Sequence, residues 1–201
     1  MRDALELARR KGVLRARDLE EMRVPRYTLS ALLDRGLLRR VERGTYVITG
    51  TDWSEHQTLI EVARRVPTGV ICLLSALRFH EIGTQEPPSV WLCIELGLKA
   101  PKLKTPTLEI VRQSGRAWSE GVAEHWLPIG ETHVAVKITS PAKTVADCFK
   151  FRNRVGLDVA LEALRDALRQ KKVTHRELWH FAAIDRVGTV MRPYLEAMAT
   201  P

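Results

Sequence analysis

The spacing of apolar residues around position 30 is that of a short amphipathic helix. Leu29, Leu32 and Leu33 stand at i, i+3 and i+4 among polar neighbours, which predicts a helix over about residues 25–35. Gly36 follows this stripe directly, and glycine supplies the left-handed closing residue that many helices require. The pattern therefore predicts a helix that ends at a glycine turn.

After Gly36 the pattern of apolar and polar residues changes from that of a helix to that of a strand. The runs 37–42 and 45–48 have strand character, and Arg43-Gly44 between them is typical of a tight turn. Two shorter helical stretches precede this helix and hairpin. Three helices followed by a two-stranded hairpin predict a winged helix-turn-helix DNA-binding domain over residues 1–50.

The remaining residues, 51–201, predict a second domain in which helices and strands are mixed. Strands are predicted at 90–95, 107–111 and 134–138, with a weaker one near 125–127. Helices are predicted over 55–66, 69–82, 141–151, 157–169, 175–183 and 189–198. The expected fold class is α+β: an amino-terminal winged helix followed by a mixed α/β domain with a small sheet and several helices.

Charge is concentrated in the first quarter of the chain. The 201 residues carry a formal net charge of +8. Residues 1–50 contain 12 basic against 7 acidic residues, and residues 51–201 contain 20 against 17. A basic amino-terminal module favours a polyanionic partner, and phosphate is the commonest one.

The positions of polar and basic residues in the predicted winged helix indicate separate roles for its third helix and its hairpin. If the leucine stripe faces the core, then Arg26, Tyr27 and Ser30 project outward from the third helix, which enters the major groove in such folds. Whether these side chains contact bases or phosphates stays open. The hairpin is predicted to clamp the adjacent DNA backbone or minor groove through arginines, namely Arg39, Arg40 and Arg43.

A second basic stretch, "TSPAKTVADCFKFRNR", has two interpretations. One is a second anion-binding surface, and the other is an ordinary solvated helix face that begins at a Ser-Pro cap. The basic residues concerned are Lys143, Lys150, Arg152 and Arg154. The loop "GLKAPKLKTP" is equally open to a phosphate-binding or a merely solubilising role.

Residue types that carry catalysis or bind metals do not cluster in the sequence. The three cysteines are scattered among apolar residues, which predicts buried free thiols. His175 and His180 are five residues apart, so they lie on different faces of a helix and predict no metal site. Glu95 and Glu109 are the only candidates for nuclease carboxylates. We therefore expect a protein that is not an enzyme and has no cofactor.

No stretch resembles an export signal or a membrane span. The first residues are charged throughout, and the longest uncharged run, 66–77, is too short to cross a bilayer. The expected location is the cytoplasm.

Three blocks of the sequence resemble the AbiEi family, the antitoxins of type IV, abortive-infection toxin–antitoxin pairs. The first is "GVLRARDLEEMRVPRYTLSALLDRGLLRRVERGTYVI", which is similar to that family's winged-helix domain. The other two are "RVPTGVICLLSALRFHEIGTQEP" and "SPAKTVADCFKFRNRVGLDVALEALRDAL", which resemble blocks of its carboxy-terminal domain. Their order and spacing are more specific than any one block.

The resemblance implies a cytoplasmic DNA-binding antitoxin with two activities. One is repression of its own operon at inverted repeats of double-stranded promoter DNA, and the other is neutralisation of a nucleotidyltransferase-like toxin. By this resemblance the winged-helix residues named above contact the operator, and the basic face of the second domain adds DNA contacts. The alternatives are a stand-alone winged-helix transcriptional regulator, a DNA-targeted nuclease and a pure protein-interaction module.

Overall fold

The computed structural model describes residues 7, 13–21, 24–25, 27–48, 56–129 and 132–199. Within these ranges the protein is a mixed α+β fold with two sheets, which confirms the expected fold class. The predicted domain boundary at residue 50 falls outside the described residues, so the division at that point stays a prediction.

The amino-terminal unit combines a small sheet with short helices. Its strands are β1 (Val13–Arg15), β2 (Leu38–Glu42) and β3 (Thr45–Ile48), and its helices are α1 (Ala16–Glu21) and α2 (Tyr27–Asp34). All strand pairs are antiparallel, in the order β1-β3-β2. Its core consists of buried leucines, namely Leu7, Leu14, Leu29, Leu32 and Leu38. This arrangement is compatible with a winged helix.

Local sequence sets both ends of α2. The amide of Thr28 donates to the carbonyl of Pro25 at 3.0 Å, which forms the first turn. At the other end, the amides of Gly36 and Leu37 donate to the carbonyls of Leu33 and Leu32, both at 2.9 Å. Gly36 has a φ of +64°, so it is the left-handed residue of a Schellman motif, as the sequence predicted.

The second unit is built on a five-stranded mixed sheet. Its strands are β4 (Val70–Ile71), β5 (Val90–Glu95), β6 (Leu108–Gln113), β7 (Val122–Ile129) and β8 (Thr132–Thr139), in the order β6-β5-β4-β8-β7. The pairs β5–β6 and β4–β8 are parallel, and the pairs β4–β5 and β7–β8 are antiparallel. The two-residue β4 therefore lies at the centre of the sheet.

Helices cover both faces of this sheet. They are α3 (Gln57–Arg65), α4 (Leu73–Phe79), α5 (Arg116–Ser119), α6 (Pro141–Lys150), α7 (Arg152–Val155), α8 (Leu157–Arg169), α9 (His175–Ile184) and α10 (Gly188–Ala199). Side chains alternate along β5: Trp91 and Cys93 pack with α6, α8 and α9, whereas Leu92 and Ile94 pack with α3. Several helices thus cover one face of the sheet, and mainly α3 covers the other.

The cysteines belong to this interior. Cys72, Cys93 and Cys148 are buried and free, as the sequence predicted. Burial raises the pKa of the Cys93 thiol to about 12, and it also raises the pKa values of the other two thiols. The three thiols are therefore protonated and behave as small apolar side chains.

One predicted helix is wrong. The helix expected over 69–82 is instead a short strand, Val70–Ile71, followed by the separate helix Leu73–Phe79. Leu73 has a φ of +48°, and this left-handed residue turns the chain from the sheet into the helix. This conformation could not be predicted from the residue type, because leucine does not favour it.

Other expected elements are present with shifted bounds. The helix expected over 55–66 runs from Gln57 to Arg65, while Ser54, its expected cap, lies outside the described residues. The weak strand near 125–127 is the full strand β7, which includes Pro128. Proline is tolerated there because β7 is an edge strand. The helix expected over 157–169 has those bounds in the structure.

Candidate nucleic-acid interface

Helix α2 presents one face to the core and the opposite face to solvent. Leu29 and Leu32 are buried, whereas Tyr27 and Ser30 are exposed one turn apart on the outer face. Tyr27 is 74% exposed, an unusual state for so large an aromatic side chain in a folded protein. Its ring and hydroxyl are therefore available to a partner, as the sequence predicted for Tyr27 and Ser30.

The same outer face carries a negative charge at its far end. Asp34 is exposed and stands seven residues after Tyr27, so both project from the same side of α2. A carboxylate at this end repels phosphate, which favours contact through the amino-terminal turn of the helix. Arg26, the predicted leading residue, lies outside the described residues.

The hairpin β2–β3 supplies three exposed arginines beside this helix. Arg39, Arg40 and Arg43 are all exposed. Cross-strand register pairs Arg39 with Val47 and Arg40 with Tyr46, and a bulge follows Arg40. Because neighbouring residues of a strand point to opposite faces, the Arg39 and Arg40 side chains leave the hairpin on different sides.

Arg15 makes one hydrogen bond within the amino-terminal unit and one to the second unit. The buried carboxylate of Asp18 accepts a hydrogen bond at 2.7 Å from the amide of Arg15, which caps α1. The Arg15 guanidinium donates to the carbonyl of Arg64, near the end of α3, at 3.4 Å. Burial, and secondarily the charge of Arg15, lowers the pKa of the Arg64 guanidinium.

The expectation that Lys143 contacts DNA is wrong, because this side chain is buried inside the second unit. It is 1% exposed and lies on α6 beneath the carboxylates of Asp147 and Asp185. Its ammonium donates to an Asp147 oxygen, to both Asp185 oxygens at 3.2 and 3.1 Å, and to Oε1 of Gln113 at 3.1 Å. No donor capacity of this ammonium is left for an external phosphate.

The carboxylate of Asp147 is almost completely buried in this cluster. Its Oδ1 accepts hydrogen bonds from Lys143 and, at 2.5 Å, from the amide of Gln113. Burial raises the pKa of Asp147 to about 7; the Lys143 charge opposes this rise and the Asp185 charge adds to it. Lys143 itself has a raised pKa, because two carboxylates outweigh the effect of its own burial.

The other three basic residues of this stretch are already engaged within the protein. Lys150 donates to Oδ1 of Asp185 at 3.1 Å, and Arg152 donates to the carbonyl of Phe149 at 3.0 Å. Arg154 donates to Oε2 of Glu109 at 2.9 Å, and its guanidinium lies 5.2 Å from the centre of the Trp91 ring. These residues do not form one continuous row of uncommitted cations.

The carboxylates considered for nuclease chemistry are not brought together. In the parallel pair β5–β6, Glu109 is opposite Trp91, whereas Glu95 is opposite Gln113 at the other end. Glu109 is also paired with Arg154. Among the described residues there is no group of three or more His, Cys, Asp or Glu side chains that could hold a metal ion.

Sequence reasoning missed Gln113 and Asp185, which complete the buried cluster. One signal was available: Lys143 and Asp147 are four residues apart within the otherwise uncharged stretch "SPAKTVADCF". An i, i+4 pair on a buried helix face indicates an internal ion pair. Nothing in the sequence identifies Asp185 as the second carboxylate, because it lies 42 residues away.

Comparison with family models identifies the amino-terminal part of the chain. Residues 2–49 match the model of the AbiEi_4 family, described as "Transcriptional regulator, AbiEi antitoxin". The resemblance predicted from the amino-terminal block is thereby confirmed for this part of the chain. The matched region includes α2 and the hairpin, and it ends before the second unit.

No curated protein matches the chain. In the part of the chain that the structure describes, none of the helices combines the length and the apolar character that crossing a bilayer requires.

Proposed function

We propose that this protein is a sequence-specific DNA-binding regulator of the antitoxin type, acting without catalysis of its own. The observation that carries the proposal is the outward face of α2, where Tyr27 and Ser30 are exposed opposite the buried leucines. In winged helix-turn-helix proteins the corresponding helix enters the major groove. The family match over the same residues supports this assignment.

In this proposal the hairpin β2–β3 supplies phosphate contacts. Its exposed arginines are Arg39, Arg40 and Arg43, and guanidinium groups can bind phosphate through two donors. Phosphate contacts supply affinity without sequence information, whereas α2 supplies sequence preference. The complex therefore weakens as salt concentration rises.

The biological role we propose is repression of the protein's own operon and neutralisation of a nucleotidyltransferase-like toxin. A repressor of this kind binds inverted repeats in its promoter through two copies of the reading helix. The AbiEi antitoxin description of the matched family supports this role. Its setting in the cell, by the same proposal, is the cytoplasm.

The test compares promoter DNA with a scrambled duplex by fluorescence anisotropy at several salt concentrations. Tyr27→Ala is expected to reduce the preference for promoter DNA at least fivefold, because it removes an exposed group from the reading face. Trp126→Ala is the matched control, since Trp126 is 65% exposed but lies on β7 of the second unit. An unchanged preference in Tyr27→Ala, or an equal loss in the control, would contradict the proposal.

A second measurement addresses the absence of catalysis. Incubation of supercoiled plasmid with the protein and Mg²⁺ is expected to leave the plasmid intact. Cleavage that disappears in Glu95→Ala or Glu109→Ala would show a nuclease instead. Failure to retain any duplex at physiological salt would favour a protein-interaction module.

A further inference from the structure

A cleft opens on the surface directly above the buried Lys143 cluster. It lies between the turn that joins β6 to α5 and the turn that joins α9 to α10, with the end of α6 at its back. Its volume is about 640 Å³, within the range of pockets that hold small molecules. Neither the winged-helix residues nor the family match extends to this part of the chain.

Basic side chains dominate the lining of the cleft. Four are cationic, and Asp185 is the one acidic residue among the described lining residues; the cations are Arg112, Arg116, Lys150 and Arg186. The Asp185 charge is not available to repel a ligand, because Lys143 and Lys150 both donate to its carboxylate. The cleft therefore presents a net positive surface to whatever enters it.

The two strongest candidates for ligand contact are Arg112 and Arg186. Both side chains are exposed, and neither has an ion-pair or hydrogen-bond partner among the residues that the structure describes. Arg116 is instead paired with Glu120, by a bidentate contact whose second bond measures 3.2 Å. Arg112 lies near the end of β6 and Arg186 on the turn between α9 and α10, so one cleft contains two uncommitted guanidinium groups, which suit an anion with more than one charged group.

The floor of the cleft is already rigid. Gln113 and Asp185 are each 5% exposed and are fixed by their bonds to the Lys143 cluster. Lys150 stands above them, 28% exposed, and bridges the floor to the cationic wall. A site with a fixed floor loses little conformational entropy on binding, which favours affinity. Apolar side chains, among them the 62% exposed Leu96, complete the lining.

We propose that this cleft binds a small phosphorylated ligand carrying two or more phosphates, of the nucleoside-polyphosphate class. Guanidinium groups match phosphate oxygens in a bidentate geometry, and the presence of both Arg112 and Arg186 in the lining suits a ligand with successive phosphates. The apolar side of the lining suits the non-ionic part of such a ligand. The inference concerns the second unit and goes beyond the DNA-binding function of the first.

The experiment is isothermal titration calorimetry of the full-length protein with ATP, GTP, pyrophosphate and inorganic phosphate. Saturable binding is expected for at least one polyphosphate, with inorganic phosphate at least tenfold weaker. The double variant Arg112→Glu/Arg186→Glu is expected to weaken polyphosphate binding at least tenfold. The matched control is Arg176→Glu/Arg192→Glu, which makes the same charge change at exposed positions outside the cleft.

The outcomes separate a built site from general attraction by a basic protein. Loss in the cleft variant with less than a twofold change in the control supports the proposal. No saturable binding of any of the four probes, or equal loss in both double variants, overturns it. So does a cleft variant that loses affinity for promoter DNA but not for polyphosphate, because the phosphates recognised there would then belong to a duplex. Tyr27→Ala, which tests the DNA-binding function, is expected to leave polyphosphate binding unchanged.

Discussion

The ammonium of Lys143 lies 3.2 and 3.1 Å from the two carboxylate oxygens of Asp185, and this contact fastens α6 to the end of α9. Both side chains are almost completely buried. A charge in such a place is stable only when its partner and its hydrogen bonds are all present. The helices of the second unit are therefore joined by a buried ion pair within an apolar interior.

Removal of the Lys143 charge is expected to destabilise the protein strongly. Lys143→Met leaves two buried carboxylates without their shared cation, and breaking a buried pair in this way costs about 3–5 kcal/mol of unfolding free energy. Urea denaturation followed by circular dichroism measures the change. Lys150→Met, at a partly exposed position with one bond to the same Asp185, is the control and should cost clearly less. Equal losses of unfolding free energy in the two variants would show that the burial of Lys143 does not increase its contribution to stability.

The raised pKa of Asp147 predicts how stability changes with pH. Its carboxyl titrates at about 7 in the folded protein and near 3.8 when unfolded, so the folded state binds more protons between these values. The contribution of Asp147 to stability is therefore present below pH 4 and is lost as the pH rises to about 7.

The measurement is urea denaturation of the wild type and of Asp147→Asn from pH 4 to pH 8. The difference between the two removes the contribution of other titrating groups, such as His80, whose pKa is lowered by burial. Relative to the variant, the wild type should lose stability across this range. A difference that stays constant with pH would rule out titration of Asp147 in this window.

Gly121 is expected to be intolerant of any side chain. Its φ is +72°, and an added Cβ would lie 2.7 Å from the Phe181 ring and 2.8 Å from Cβ of Lys143. Gly121→Ala combines backbone strain with overpacking. Gly97→Ala introduces backbone strain without overpacking, because Gly97 has a φ of +96° and no atom lies within 4 Å of the added Cβ. Thermal unfolding should show Gly121→Ala less stable than Gly97→Ala by about 1–3 kcal/mol; equal losses would contradict the steric part.

Arg39 and Arg40 are expected to contribute unequally to DNA binding. They leave the hairpin on opposite faces, so a duplex that lies against one face is contacted by only one of them. Loss of one phosphate contact lowers the slope of log K against log salt by about 1. One of Arg39→Ala and Arg40→Ala should show this decrease and the other little change. Equal decreases would mean that the hairpin is wrapped by the DNA on both sides.

The sequence predicted best where a regular period decided the structure alone. The helix Leu157–Arg169 was predicted with its observed bounds because its apolar stripe is clear without tertiary information. The prediction for 69–82 was wrong for the opposite reason, since a run that is apolar on all sides fits both a buried strand and a buried helix. The φ of Leu73 decided between them, and that conformation comes from the surrounding sheet and helices.

The same difference applies to the candidate site: what depends on a local pattern could be predicted, and what depends on distant residues could not. The exposure of Tyr27 and Ser30 followed from the leucine stripe on the same helix, which is a local relation. The burial of Lys143 did not follow from its neighbours in sequence, because a basic stretch normally predicts a solvated face. Its true environment depends on Asp185 and Gln113, which only the folding of distant segments brings to it.

The two-residue strand β4 leaves the centre of the second sheet with very little main-chain pairing. Val70 and Ile71 are matched with Cys93 and Leu92 on one side, and Ile71 with Ile138 on the other. The β5–β6 pair and the β7–β8 hairpin are thus two separate ribbons joined by a narrow bridge. Cohesion between the two ribbons therefore depends on side chains that pack against α6 and α8 on one face of the sheet and against α3 on the other.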